Sequence, residues 1–253
     1  IIPAETGELA SGLSGEGRMA EPENIVSFLE RDLLEKLPLK GKKILITAGP
    51  TYEAIDPVRF IGNHSSGKMG FDIANEAANK GAEVILVTGP THLNVQNSAI
   101  KLIRVISAQE MYDACHEFYN SVDVAIAAAA VADYRPKNVA EQKIKKNEAT
   151  FSIELEKTKD ILASLGEQKE NQFLIGFALE TENEIEHAKQ KIQKKNLDLI
   201  VLNSLNDKGA GFGMPTNKVT FISKDFIGDR KELKSKEEVA QDIINKVIQF
   251  YDA

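Results

Sequence analysis

This 253-residue chain has a single cysteine, Cys115, and no tryptophan. One thiol excludes an intrachain disulfide and suits a reducing cytoplasm; within a helical pattern, Cys115 reads as a small buried apolar residue. The 4 histidines, His64, His92, His116 and His187, are scattered, and neither C-x-x-C nor H-E-x-x-H occurs. A structural zinc site is thereby disfavoured, and no metal ligand can be named. Positive charge is also short. There are 31 Lys and Arg against 38 Asp and Glu, a net charge of −7. That disfavours non-specific nucleic-acid binding, although a local basic patch can still grip a small phosphorylated molecule. No apolar run approaches the roughly 18 residues of a membrane span, and no basic stretch opens the chain as in a secretory signal. The first residue is Ile1 rather than Met, which predicts a piece of something longer. Two nucleotide fingerprints are missing as well. Gly49-Pro50-Thr51 and Ser66-Gly67-Lys68-Met69 satisfy neither G-x-G-x-x-G nor G-x-x-x-x-G-K-[ST], so an ordinary NAD or ATP site is disfavoured.

What is present is enough for a core: 42% of the residues are hydrophobic. Residues 1–20 are rich in glycine and small residues and lack any period, which reads as a tail. A helix follows over 21–40, with Ile25, Phe28, Leu29, Leu33 and Leu37 spaced for one face and Pro38 as its stop. From residue 41 to 253, strands and helices alternate. Strands are expected at 42–48, 83–88, 100–106, 122–129, 172–178, 197–202 and 217–223, and helices at 66–80, 107–120, 160–166, 183–195 and 235–251. Ser107 with Glu110 and Ser235 with Glu238 form capping boxes. The strand runs are apolar on both faces, which predicts an α/β domain with a doubly wound, mostly parallel, Rossmann-like sheet.

One region, about 137–157, breaks the alternation. Ile144, Phe151, Ile153 and Leu155 alternate with polar residues around Asn147-Glu148-Ala149-Thr150, as in a two-stranded hairpin arm. A lone hairpin is barely stable in water, so the arm predicts pairing with its copy in a homodimer.

Chemistry should sit beyond the carboxyl ends of the strands. The stretch from Ile44 to Gly70 reads as strand, long polar loop and helix start, with Arg59, Asn63, His64, Ser65, Ser66 and Lys68 close together. A helix N-terminus with Ser hydroxyls and a close-approaching Gly favours an anion, which makes Gly49, Ser65, Ser66 and Gly67 a candidate phosphate loop. Ala127 to Ala130 leave room for a flat group, or for tight helix packing. Lys143 and Lys145 on one strand face, and Lys191 and Lys195 at i,i+4, are like-charge pairs that an anion would relieve. Solvation of an edge, or a helix C-terminal dipole, would explain each pair equally. Lys157-Thr158-Lys159-Asp160 opens another short helix whose free amides suit a phosphate.

Taken together, TAGPTYEAIDPVRFIGNHSSGKMG, AAAVADYRPKN, the KIKK cluster, GFALETEN and KKNLDLIVLN closely resemble bacterial phosphopantothenate–cysteine ligase over about residues 40–250. In many bacteria this enzyme is the C-terminal half of a bifunctional coenzyme A biosynthesis protein. The resemblance implies that CTP, with Mg²⁺, activates 4′-phosphopantothenate as an acyl-cytidylate, which L-cysteine then converts to an amide. It implies Asn63 on the acyl intermediate and Arg59, with Ala129, on phosphopantothenate. Lys143 is implied as the cation of the first half-reaction. Ala127, Ala128, Ala129, Asp133, Asp160, Ile161, Leu162, Ala163, Phe177, Lys191 and Lys195 are implied as the CTP site. The first 20 residues resemble the end of a flavin-dependent decarboxylase domain. Ser11 stands where many members have a catalytic Cys, and nearly all of the flavin-binding domain is missing, so no decarboxylase activity is expected of this chain and FMN belongs only to the missing upstream domain. A nicotinamide-dependent oxidoreductase and a non-catalytic regulatory subunit are the competing readings.

Overall fold

The computed structural model describes residues 1–253 except 9–10, 146–149, 181, 205–210, 212 and 253. The chain begins with β1 (Glu5–Glu8), β2 (Ser14–Arg18) and α1 (Pro22–Glu35). Then come β3 (Lys43–Ala48), β4 (Tyr52–Ala54), β5 (Phe60–Gly62), α2 (Lys68–Asn79), β6 (Glu83–Thr88), β7 (Ile100–Arg104) and α3 (Ala108–Tyr119). The middle holds β8 (Val124–Ala127), β9 (Tyr134–Pro136), β10 (Leu155–Lys157), α4 (Ile161–Gln168), β11 (Phe173–Glu180) and α5 (Glu184–Lys194). The end holds β12 (Leu199–Ser204), β13 (Thr216–Asn217), β14 (Val219–Ser223), β15 (Gly228–Arg230), β16 (Lys234–Ser235) and α6 (Lys236–Asp252).

Eight strands form the central sheet in the order β15-β14-β12-β11-β8-β3-β6-β7. From β12 to β7 every neighbouring pair is parallel, and β14 and β15 close one edge antiparallel. The chain leaves β3 toward β6 and β7, then returns to place β8 on the other side of β3, so the winding reverses between β3 and β8. Both faces are covered because both faces of the strands are apolar. Ile44 and Ile46 of β3 face a core built with Ile73, Ala74 and Ala77 of α2 and Val239, Ile243 and Ile244 of α6. Leu45 faces the other, with Met111 and Cys115 of α3, Leu165 of α4 and Ile192 of α5. Cys115 is buried there, and burial pushes its thiol pKa up to about 12, which makes it inert packing. Among the described residues no helix is long and apolar enough to cross a membrane.

Three expectations need correction. The first 20 residues are not a featureless tail: β1 and β2 pair antiparallel around Gly12, whose φ of +77° permits the turn. The helix before the sheet ends at Glu35, short of Pro38, and none of its residues is buried; Leu29, Leu33 and Leu34 stay exposed. In the arm, the pairing joins β10 to β9, with Leu155 opposite Pro136 and Lys157 opposite Tyr134. Ile144 lies in no strand, so Lys143 and Lys145 do not share a strand face, and residues 146–149 of the expected turn fall outside the described residues. The alternating pattern had no way to reveal that β9, just after the alanines, captures β10 through Lys137 N and Glu154 O at 3.0 Å.

α2 begins at Lys68 after Gly67, whose φ is +83°. A methyl on Gly70 would lie 2.5 Å from Ala48 Cβ and 3.0 Å from the Thr47 carbonyl oxygen. Gly70→Ala should therefore push α2 off β3 and cost roughly 1–3 kcal/mol in stability. Chemical denaturation checks this, and an unchanged midpoint would show that the helix can yield without cost.

Candidate active site

At the reversal between β3 and β8, the carboxyl ends of the strands open into a cavity of about 730 Å³. Its floor is the run Ala127–Ala130, held by backbone wiring to the end of β3. Ala129 N donates to Thr47 Oγ1 at 3.1 Å, Ala130 N to the Gly49 carbonyl at 2.9 Å, and Ala132 N to Thr51 Oγ1 at 2.9 Å. Ala127 to Ala130 are only partly covered. Beside them on the neighbouring parallel strand, Phe177 of β11 also lines the cavity and is partly exposed. Asn63 reaches across from the loop after β5. Its Nδ2 donates to the carbonyls of Ala130 at 3.0 Å and Val131 at 3.1 Å, so Oδ1 is the atom left for a ligand.

One wall belongs to the helical layer of α4 and α5. Lys195 pairs with Asp160 at 2.7 Å, and Asp160 caps α4 by accepting from Ala163 N at 3.0 Å. Burial raises the Asp160 pKa, but the Lys195 and Ala163 hydrogen bonds and the charges of Lys195 and Lys191 outweigh it and hold the carboxyl below its ordinary value. Lys191 Nζ donates to the Phe177 carbonyl at 2.9 Å. Thr158 Oγ1 donates to the Ala132 carbonyl at 2.6 Å and ties the strand before α4 to the floor. The other wall belongs to α2 and α6, with Ser65, Ser66, Gly67, Lys68 and Lys236. Lys68 bridges Asp72 and Glu237, each at 2.9 Å. Burial lowers its pKa, but those two carboxylates outweigh the effect and leave it raised.

Of the residues singled out from sequence, Asn63, Ser65, Ser66, Gly67, Ala127, Ala128, Ala129, Asp133, Asp160, Ile161, Leu162, Phe177, Lys191 and Lys195 line this cavity. Gly49 sits beneath Gly67 instead, and Ala163 contributes only its amide to Asp160. Arg59 and Lys143 lie outside the cavity of the single chain. Asn203, Asn217 and Lys236 line it without having been singled out. Asn217 donates to Asn203 Oδ1 at 3.1 Å, and the only sequence signal was two asparagines bordering strand ends.

The family described as DNA/pantothenate metabolism flavoprotein C-terminal domain matches residues 39–251. Over 253 residues, the chain is 52% identical to a protein from an unknown prokaryotic organism named cysteine/cysteine sulfinic acid decarboxylase, covering 98% of this chain and 70% of that one. Over 251 residues it is 47% identical to the coenzyme A biosynthesis bifunctional protein CoaBC of Bacillus subtilis. That match covers 98% of this chain but 61% of the relative, so the chain spans about three fifths of its length. A crystal structure of the C-terminal domain of a CoaBC protein superposes with a TM-score of 0.73 at 47% identity, covering 86% of this chain and 99% of that one.

Arg59 is placed by Asp56, whose side chain is fully buried. Asp56 accepts from the amides of Val58 at 2.8 Å, Arg59 at 2.9 Å and Ile144 at 3.1 Å, and pairs with the Arg59 guanidinium at 2.9 Å. Arg59 in turn donates to the Ile144 carbonyl at 2.6 Å, so one carboxylate ties the arm to the β4–β5 loop, which leads through β5 to Asn63. Burial raises the Asp56 pKa, yet the three amides and Arg59 outweigh it and leave it lowered. A lowered folded pKa gives stability that is present above the ordinary carboxylate pKa and lost as pH falls through the lowered one. The melting-temperature gap between the parent and Asp56→Asn should thus be widest near neutrality and close below about pH 4. A gap independent of pH would mean that the charge of Asp56 does not hold the arm.

Proposed function

The chain belongs to the DNA/pantothenate metabolism flavoprotein C-terminal domain family, and from that premise we propose that it is a phosphopantothenate–cysteine ligase using CTP. The observation that supports this reading is the cavity itself, where small alanines and Phe177 line the same space as cationic groups on both walls. A triphosphate and a second phosphorylated substrate both need such groups, because anions brought together must be neutralised before they react.

In this reading the nucleotide lies along Ala127–Ala129 and Phe177, with its phosphates toward Lys191 and Lys195. The carboxylate oxygen of 4′-phosphopantothenate attacks the α-phosphorus of CTP, the bond to the β-phosphate breaks, and pyrophosphate leaves. The amine of cysteine then attacks the acyl carbon, loses a proton and expels CMP. Alignment and charge neutralisation do most of the work in such a transfer. Asn63 is held rigid by two carbonyls and presents Oδ1 to the intermediate. Among the described residues no group of three acids, histidines or cysteines gathers for a metal. Mg²⁺ would enter on the phosphates and offset part of their charge, and Asp133 and Asp160 are carboxylates lining the same cavity.

A decarboxylase reading is favoured only by the name of one relative. Ser11, at the position where the resembled decarboxylase end has Cys, speaks against it, and no carbon dioxide should be released from cysteine. Pyrophosphate release that requires both CTP and 4′-phosphopantothenate separates the ligase from the decarboxylase, oxidoreductase and regulatory readings. Asn63→Asp should slow that release roughly tenfold or more, since a carboxylate oxygen would face the Ala130 and Val131 carbonyls in place of two donors. A parental rate in this variant would remove Asn63 from the site.

The same reading makes the arm a homodimer contact. Val58, Phe60, Tyr134, Val139, Phe151 and Leu155 are exposed on β5, β9, β10 and the loops beside them, an unusual apolar concentration for a free surface. Dimerisation would hold the arm and bring Lys143 to a nucleotide. Ile153→Asp should break the dimer and abolish activity, whereas Lys143→Gln should abolish activity and leave the dimer. Sedimentation combined with the pyrophosphate assay tests both; a fully active monomer refutes the arm's role.

A further inference from the structure

The α2–α6 wall holds a cation that the nucleotide reading leaves unused. α2 and α6 pack side by side, and each begins with a lysine, Lys68 and Lys236. The first turn of a helix is the positive end of its dipole, so both lysines stand where a cation is least favoured. Lys68 is compensated by Asp72 and Glu237. Lys236 is not. It is 6% exposed, and among the described residues its ammonium makes one hydrogen bond, 3.3 Å to the carbonyl of Gly211, which also lines the cavity. Burial depresses its pKa; Asp72 opposes this and the charge of Lys68 adds to it. An ammonium has three donors, and two of these find no acceptor among the described residues. A buried charge so poorly paired is costly, and an anion in the cavity would remove the cost.

We propose that Lys236, with Lys68 beside it, holds a phosphate group of a bound substrate at the α2–α6 wall, across the cavity from Lys191 and Lys195. Ser65, Ser66 and Gly67 share that wall. The identity of the phosphate rests on the ligase reading; the anion subsite does not. Two sources supply the same chemistry, the polyphosphate of the nucleotide and the phosphomonoester of the acid.

Calorimetry on the full chain tests this with inorganic tripolyphosphate, CTP against cytidine, and 4′-phosphopantothenate against pantothenate. Lys236→Met should weaken the phosphorylated ligands roughly tenfold or more and leave cytidine and pantothenate unchanged, with Lys236→Arg restoring most of the loss. The Met variant should melt no lower than the parent, because an uncompensated buried charge is gone; Lys236→Gln carries the same comparison if it does melt lower. A loss confined to CTP assigns the wall to the nucleotide, and one confined to 4′-phosphopantothenate assigns it to the acid. Parental affinity for tripolyphosphate, CTP and 4′-phosphopantothenate in the Met variant overturns the proposal. Failure of the parent to release pyrophosphate would instead sink the ligase reading, while the tripolyphosphate comparison would still decide the subsite.

Discussion

Every group at the carboxyl edge of the sheet depends on how closely α2 can approach the end of β3. A methyl at position 70 has no room above Ala48, and the chain turns into α2 through Gly67 with its backbone in the left-handed region. That approach draws the Ser65–Lys68 segment down over Gly49 and lets the parallel bridge between Pro50 and Ala130 form on the other side of the strand end. The alanine floor is then bound to β3 by Thr47 and Thr51 rather than by large side chains. The cavity is open because its floor is backbone.

Charge is distributed over that floor from both helical layers. On the α4–α5 side, Lys195 is compensated by Asp160, which is itself fixed as a helix cap. On the α2–α6 side, Lys68 is compensated by carboxylates from its own helix and from α6. Such pairs give a ligand cations that are already oriented, at the expense of first competing with a carboxylate. Because the side chain of Glu237 is largely exposed, its release to solvent is the cheap exchange on that wall. Among the described residues, the Lys236 ammonium is hydrogen-bonded only to a carbonyl.

The sheet and the main helices were legible because their signals are local: apolar runs about six residues long, and capping boxes such as Ser235 with Glu238, which the structure realises reciprocally at 2.9 and 3.1 Å. The strand order could be expected only as a class, since nothing local says that β8 returns to β3. Lysines drew attention where they came in pairs, as Lys191 with Lys195 did. Lys236 follows Lys234 and Ser235 in a stretch that reads only as a capped helix start, and it meets Lys68 only through the packing of α2 on α6. The arm failed for the opposite reason. Its alternation was real, but β10 pairs with β9, and the pairing is closed at one end by Thr158 N, just after β10, donating to the carbonyl of Asp133, just before β9, at 3.0 Å.

The arm and the cavity are mechanically one object, and Asp56 is the joint. Its carboxylate satisfies the amides at the tip of the loop between β4 and β5 and an amide of the arm nearly ninety residues on. The Ala140 amide adds a further tie, donating to the Ile55 carbonyl at 3.0 Å. β5 leads directly to Asn63, which grips the floor at Ala130 and Val131. β9 leaves that same floor after Asp133 and returns through β10 to the α4 wall. A displacement of the arm therefore reaches the cavity by two routes, through Asn63 and through Thr158. An apolar partner covering Phe60, Tyr134 and Leu155 would stiffen both at once, which is the physical reason to expect assembly and site geometry to be coupled.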